Sequence, residues 1–152
     1  MQKDFLNPEG LPNWGETFSQ VVVVQTGSMR TIYISGQVSV NADNKIVGHN
    51  DLGQQAETAL ENLRKALSAT DATPDGVVRL GIYIKNYQRE QAPVIGNALR
   101  RLFRSGKMPA STWLGVSSLA LDDLLIEIEA IAVTASPQNI FQVAISSDVA
   151  SG

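Results

Sequence analysis

The chain has 152 residues, enough for one domain with a real core. Hydrophobic residues make up 43% and charged residues 18%, the balance of a globular domain and not of a disordered or membrane-spanning one. Net charge is -3, which advertises no nucleic-acid surface, and the absence of cysteine excludes disulfides, thiolate metal sites and a cysteine nucleophile.

Residues 1–17 carry Pro8, Gly10, Pro12 and Gly15, a density of breakers that predicts an extended or looped N-terminal arm. Trp14 is expected to anchor it. Met1-Gln2-Lys3-Asp4 has no apolar run of the signal-peptide kind behind it. The longest apolar strings, such as Val21 to Val24, are too short to cross a bilayer, so a cytoplasmic protein without a membrane role is expected.

Phe18–Gln25 and Thr31–Val40 are β-branched runs separated by Gly27-Ser28, which predicts a hairpin. Asn41–Asn50 is a polar loop holding His49, the only histidine, expected to be solvated. Asp51 then caps a helix that ends near Thr70, with Gln54 placed to complete a capping box. Leu52, Ala56, Ala59, Leu60, Leu63 and Leu67 form its apolar stripe. Glu61 and Lys65 stand four apart on the wet side.

Val77–Lys85 predicts a strand with Val78, Leu80, Ile82 and Ile84 on its core face. Arg89–Arg104 predicts a second helix, with Ile95, Ala98, Leu99, Leu102 and Phe103 inward, Pro93 blurring its start and Gly106 suiting its stop. Met108–Val116 and Leu124–Thr134 are the last two strands, with Asp122 and Asp123 turning between them. Alternation puts Ile126, Ile128 and Ala130 on one face and Glu127 and Glu129 on the other. Ser111 and Trp113 are read on the side of the two glutamates, away from the helices. Residues 135–152 form a C-terminal extension in which Ile140, Phe141, Val143 and Ile145 can add a strand or dock on a neighbour.

The predicted order is β-β-α-β-α-β-β, and two singly striped helices cover one sheet face. The other face must meet solvent or another subunit.

Pro109-Ala110-Ser111-Thr112 followed by Ile126-Glu127-Ile128-Glu129-Ala130-Ile131-Ala132-Val133 resembles the signature of the Rid/YjgF family, also called L-PSP or reactive-intermediate deaminases. Phe18-Ser19-Gln20 and Ile34-Ser35-Gly36-Gln37 add to the likeness, which covers residues 18–134 in the family's order and spacing. The resemblance implies a chorismate-mutase-like α+β domain and a homotrimer with sheets inward. It places a small-molecule ligand in the clefts between subunits and needs no cofactor or metal. In the deaminating branch an arginine that grips a substrate carboxylate stands where this chain has Ser111. A neutral hydroxyl cannot replace that bidentate charge.

The resemblance makes Glu127 the candidate catalytic group, orienting water beside an imine carbon; its alternative is a structural interface glutamate. Phe18, Gly36, Ser111, Thr112 and Trp113 are the candidate substrate-binding residues. Phe18 replaces a common tyrosine. Trp113 either plugs the cleft or stacks on a flat ligand, and Gly36 either admits a ligand or relieves crowding. Two functions follow: an imine or enamine deaminase with a non-standard substrate, or a non-catalytic metabolite-binding trimer. In the first, Arg30 or Arg79 of a neighbouring chain is a stand-in for the missing guanidinium. The family's ribonuclease label finds no basic, aromatic-studded surface here.

Overall fold

The structure is a computed structural model and describes residues 1–137. The expected strand in the C-terminal extension lies outside them. Six strands form one sheet: β1 (Gln2–Leu6), β2 (Val21–Thr26), β3 (Met29–Val38), β4 (Val77–Lys85), β5 (Ala110–Val116) and β6 (Ile126–Ala135). Their spatial order is β1-β2-β3-β6-β4-β5, antiparallel except for the β4–β5 pair. Helices α1 (Leu52–Ser68) and α2 (Ala92–Leu102) supply the residues that bury one face. This is the α+β arrangement expected.

The core follows from the two periodicities. Every second residue of β6, from Ile126 through Ile128 and Ala130 to Ala132, is buried, as are Ile32 and Ile34 of β3. Ala56, Ala59, Leu60, Leu63, Ala66 and Leu67 of α1 and Ile95, Ala98 and Leu99 of α2 meet them. The Asp51 carboxylate caps α1 by accepting from Gln54 N at 2.9 Å. Pro93 sits in the first turn of α2, and Gly106 takes a positive φ of 75° beyond its end.

Four local readings need correction. The N-terminal arm is more than an extended or looped lead-in: Gln2–Leu6 pairs antiparallel with Val21–Gln25 as an edge strand. Its low hydrophobicity hid it, because an edge strand exposed on both sides needs no apolar alternation. Val78 is exposed while Val77 is buried, because a register shift between Val77 and Arg79 turns the strand by one residue. Glu61 bonds Arg64 in a fork of 2.6 and 2.8 Å, not Lys65.

The fourth concerns β5. Ser111, Trp113 and Gly115 register with Leu80, Ile82 and Ile84, all three buried on the helix side. Ser111 and Trp113 therefore point away from the Glu127/Glu129 face, and Trp113 packs against the main core. Thr112 stands instead on the open face, where Arg79 Nη2 donates to its Oγ1 at 3.4 Å. Strand alternation was read correctly; the side on which β5 places each half was not.

Candidate functional site

Two glutamines behind the near wall tie its segments together. Gln37 Nε2 donates to Gln20 Oε1 at 2.8 Å, and both side chains are buried. Gln20 Nε2 reaches Pro12 O at 2.9 Å, and Ser35 Oγ donates to Ser19 O at 2.7 Å. The segments Phe18-Ser19-Gln20 and Ser35-Gly36-Gln37 are thus stitched side by side, which brings Phe18 next to Gly36. A β-bulge between Ile34 and Gln37 lets two residues of β3, Ser35 and Gly36, stand where the ladder to β6 shifts.

Two buried amides on α1 hold the far wall. Gln55 Nε2 donates to Asp123 O at 2.8 Å and to Gly48 O at 3.1 Å, while its Oε1 accepts from Leu125 N at 2.8 Å. Asn62 Nδ2 donates to Val38 O at 3.0 Å and Val40 O at 2.9 Å. Both side chains are buried with their amide groups well partnered, as buried polar groups must be. Gln55 thereby fastens the loop that leads into Glu127. The sequence marked this helix by its Asp51 cap and its apolar stripe, and neither pointed to Gln55 or Asn62.

Between these walls is a pocket of about 270 Å³ lined by Trp14, Thr17, Phe18, Gly36, Val38, Ala120, Leu121, Leu124 and Glu127. Glu127 lies across Gly36 so closely that a β-carbon there would stand 2.6 Å from its Cδ. Burial pushes the Glu127 carboxyl above its ordinary pKa, and the negative charge of Glu129 adds to the rise. Trp14 and Phe18 form a tilted aromatic pair with centroids 5.6 Å apart. Trp14 does pack onto the domain, and it does more than anchor: it faces the same pocket as Glu127.

Three of the six site residues named from sequence, Phe18, Gly36 and Glu127, therefore share one pocket. Ser111, Thr112 and Trp113 lie on β5, separated from β6 by β4, and do not line it. Trp113 Nε1 donates to Ser111 Oγ at 2.9 Å, so the hydroxyl is engaged within its own chain. Trp14, Thr17, Ala120, Leu121 and Leu124 were not singled out as site residues; apart from the tryptophan they carry no chemistry a motif could flag.

Glu129 repeats the Glu127 arrangement one strand over. It lies above Gly81, and Tyr83 Oη donates to its Oε1 at 2.9 Å. That bond holds the Tyr83 phenol above its ordinary pKa. A second hollow of about 280 Å³ on this open face includes Tyr33, Ser35, Arg79 and Glu129. Arg30 is committed elsewhere: its Nη2 donates to Thr70 O at 2.9 Å, beyond the end of α1. His49 stands exposed, 3.6 Å from Asp123 Oδ2.

Comparison with known proteins decides the family. The family described as Endoribonuclease L-PSP matches residues 12–134. The chain belongs to this Rid/YjgF (L-PSP) family. RutC family protein UK114 of Drosophila melanogaster is 32% identical over 119 residues, 78% of this chain and 80% of that protein. A 2-iminobutanoate/2-iminopropanoate deaminase of Dermatophagoides farinae is 30% identical over 110 residues, 72% and 81% of the two chains. Among solved structures, the Rid-family protein YyfB of Yersinia pestis is 37% identical, with a TM-score of 0.68, covering 88% of this chain and all of that one. The matched span takes in every Rid/YjgF residue of the pocket, from Trp14 to Glu127.

Proposed function

We propose that this Rid/YjgF chain is a C=N hydrolase, converting an imine or enamine and water to a carbonyl compound and ammonia. The observation that carries the reading is Glu127: a carboxylate in an apolar pocket, aligned along β6 over Gly36, with its pKa raised toward the working range of a general base. Water held by Glu127 gives up a proton to the carboxylate as its oxygen bonds to the imine carbon. The π electrons of the C=N bond pass to nitrogen. From the protonated imine this leaves a neutral carbinolamine, which collapses: Glu127 returns its proton to nitrogen, takes the hydroxyl proton as the C=O bond forms and the C–N bond breaks, and the departing ammonia carries that proton away as ammonium.

The deaminase names among the relatives support this chemistry. The open sheet face supports a homotrimer with pockets at its clefts. Phe5, Tyr33 and Leu114 are 65%, 47% and 49% exposed there in the isolated chain, an apolar surface suited to burial between copies. A second reading, a trimer that binds a metabolite without turning it over, is favoured by the Trp113–Ser111 bond, which occupies the hydroxyl at the position the resemblance gives to an arginine.

Ammonia release from a panel of imines generated in place by amine and amino-acid oxidases separates the two. The hydrolase reading expects acceleration over the uncatalysed rate for at least one imine. Ligand-dependent thermal shifts with no acceleration anywhere select the binding module. Light scattering on the same sample is expected to find a trimer of the 16.4 kDa chain.

A further inference from the structure

The pocket's lining has a consistent charge character. Among the described residues that line it, Glu127 is the only ionisable one. The remainder are aromatic, aliphatic or small, apart from Thr17. Within the same chain the two sheet arginines lie outside the pocket: Arg30 is bound to Thr70 O, and Arg79 lines the separate hollow beside Thr112, on the face proposed to meet a neighbouring chain. The place from which the resemblance brings a guanidinium holds Ser111, already bonded to Trp113. A carboxylate-bearing ligand entering here would set its charge against Glu127 with no counter-ion from this chain.

The opposite charge suits the same walls. A protonated imine carries its positive charge on the C=N unit that must sit beside Glu127. The faces of Trp14 and Phe18 favour a cation or a flat apolar group, and Val38, Leu121 and Leu124 favour hydrocarbon.

We infer that the preferred substrate is a cationic iminium bearing an apolar or aromatic group and no carboxylate. The inference rests on the hydrolase reading and specifies its substrate class. The reaction balances as R₂C=NH₂⁺ + H₂O → R₂C=O + NH₄⁺, with no oxidant or cofactor. The iminium carbon is also the more electrophilic form, so the charge that gives recognition serves the attack by water.

Benzamidine, a planar aryl amidinium that resists hydrolysis under assay conditions, and benzoate, its anionic counterpart, are the probes. Titrations monitored by NMR on the full chain are expected to give a Kd for benzamidine about tenfold or more below that for benzoate. Glu127→Gln is expected to erase the difference, and Trp14→Leu to weaken benzamidine several-fold. Benzoate binding as well as benzamidine, no benzamidine binding at 10 mM, or a preference unchanged in Glu127→Gln overturns the inference.

Turnover distinguishes this failure from failure of the hydrolase reading. Acetophenone imine, followed by absorbance, is expected to exceed 2-iminopropanoate in kcat/KM by about tenfold or more. The reverse order overturns the substrate class and leaves the hydrolase intact. Tight benzamidine binding with no turnover of either imine upholds the recognition and overturns the hydrolase.

Discussion

The Glu127 carboxylate on β6 occupies the volume that a β-carbon at Gly36 on β3 would fill. Two strands therefore define one side-chain position: β6 supplies the carboxylate, and β3 supplies the absence of a side chain that lets it lie flat. The bulge beside Gly36 and the Gln20–Gln37 bond keep that vacancy in register.

Gly36→Ala should displace Glu127 more than it unfolds the protein, because the overlapping atoms belong to a flexible side chain. The expected cost is about 1–3 kcal/mol in urea denaturation, with hydrolysis and benzamidine binding lost. In a Glu127→Ala background the same substitution should cost much less. That non-additivity is the signature of the contact.

Glu127 also sets a pH dependence of stability. Its folded-state pKa is raised above the ordinary glutamate value of 4.5 by burial first and by the charge of Glu129 second. The unfolded chain's Glu127 ionises first as pH rises, so this group's contribution to stability is fully present below pH 4.5 and is lost as pH climbs through the raised folded value. Glu127→Gln removes that penalty. The variant should be more stable than the parent at pH 7, and the difference should shrink to nothing near pH 4, as measured by urea midpoints at the two pH values.

Gln55→Leu tests the clamp on the loop before Glu127. It removes the acceptor of Leu125 N and the donor to Asp123 O and Gly48 O at a fully buried site. A loss of about 2–4 kcal/mol in denaturant unfolding is expected. Hydrogen exchange at the Leu125 amide should accelerate by more than the global change explains.

How legible all this was differs by element. Helix α1 was readable because its apolar stripe coincides with its buried face, and β6 because Glu127 and Glu129 alternate with buried residues. Val78 misled because a bulge breaks the parity on which strand reading depends. Ser111 and Trp113 misled for a different reason: alternation tells which residues share a face, not which face, and only pairing with Ile82 resolves it. Gln55 and Asn62 were invisible as clamps, since a buried glutamine and an exposed one look alike until their distant partners, 68 and 24 residues away for Asp123 and Val38, are known. The pocket's polar end was legible through the resemblance; its apolar end was not.

In a trimer whose neighbouring chain brings β5 to the pocket, Ser111→Arg should install the missing charge. Where Trp113 blocks it, the pair Ser111→Arg with Trp113→Cys is required, because Trp113 Nε1 holds the Ser111 hydroxyl and its ring packs on the core. The expected outcome is a gain of at least tenfold in kcat/KM for 2-iminopropanoate, with a matching fall in preference for apolar imines. No gain in either variant would show that this strand does not meet the pocket in the assembly.

The central claim is that Glu127 performs the chemistry. It is tested most directly by imine hydrolysis at pH 7 in the parent and in Glu127→Gln, a variant expected to keep the fold and to gain stability. The account predicts a fall in kcat of about 10²- to 10⁴-fold with the trimer intact. Full activity in a folded Glu127→Gln would contradict it.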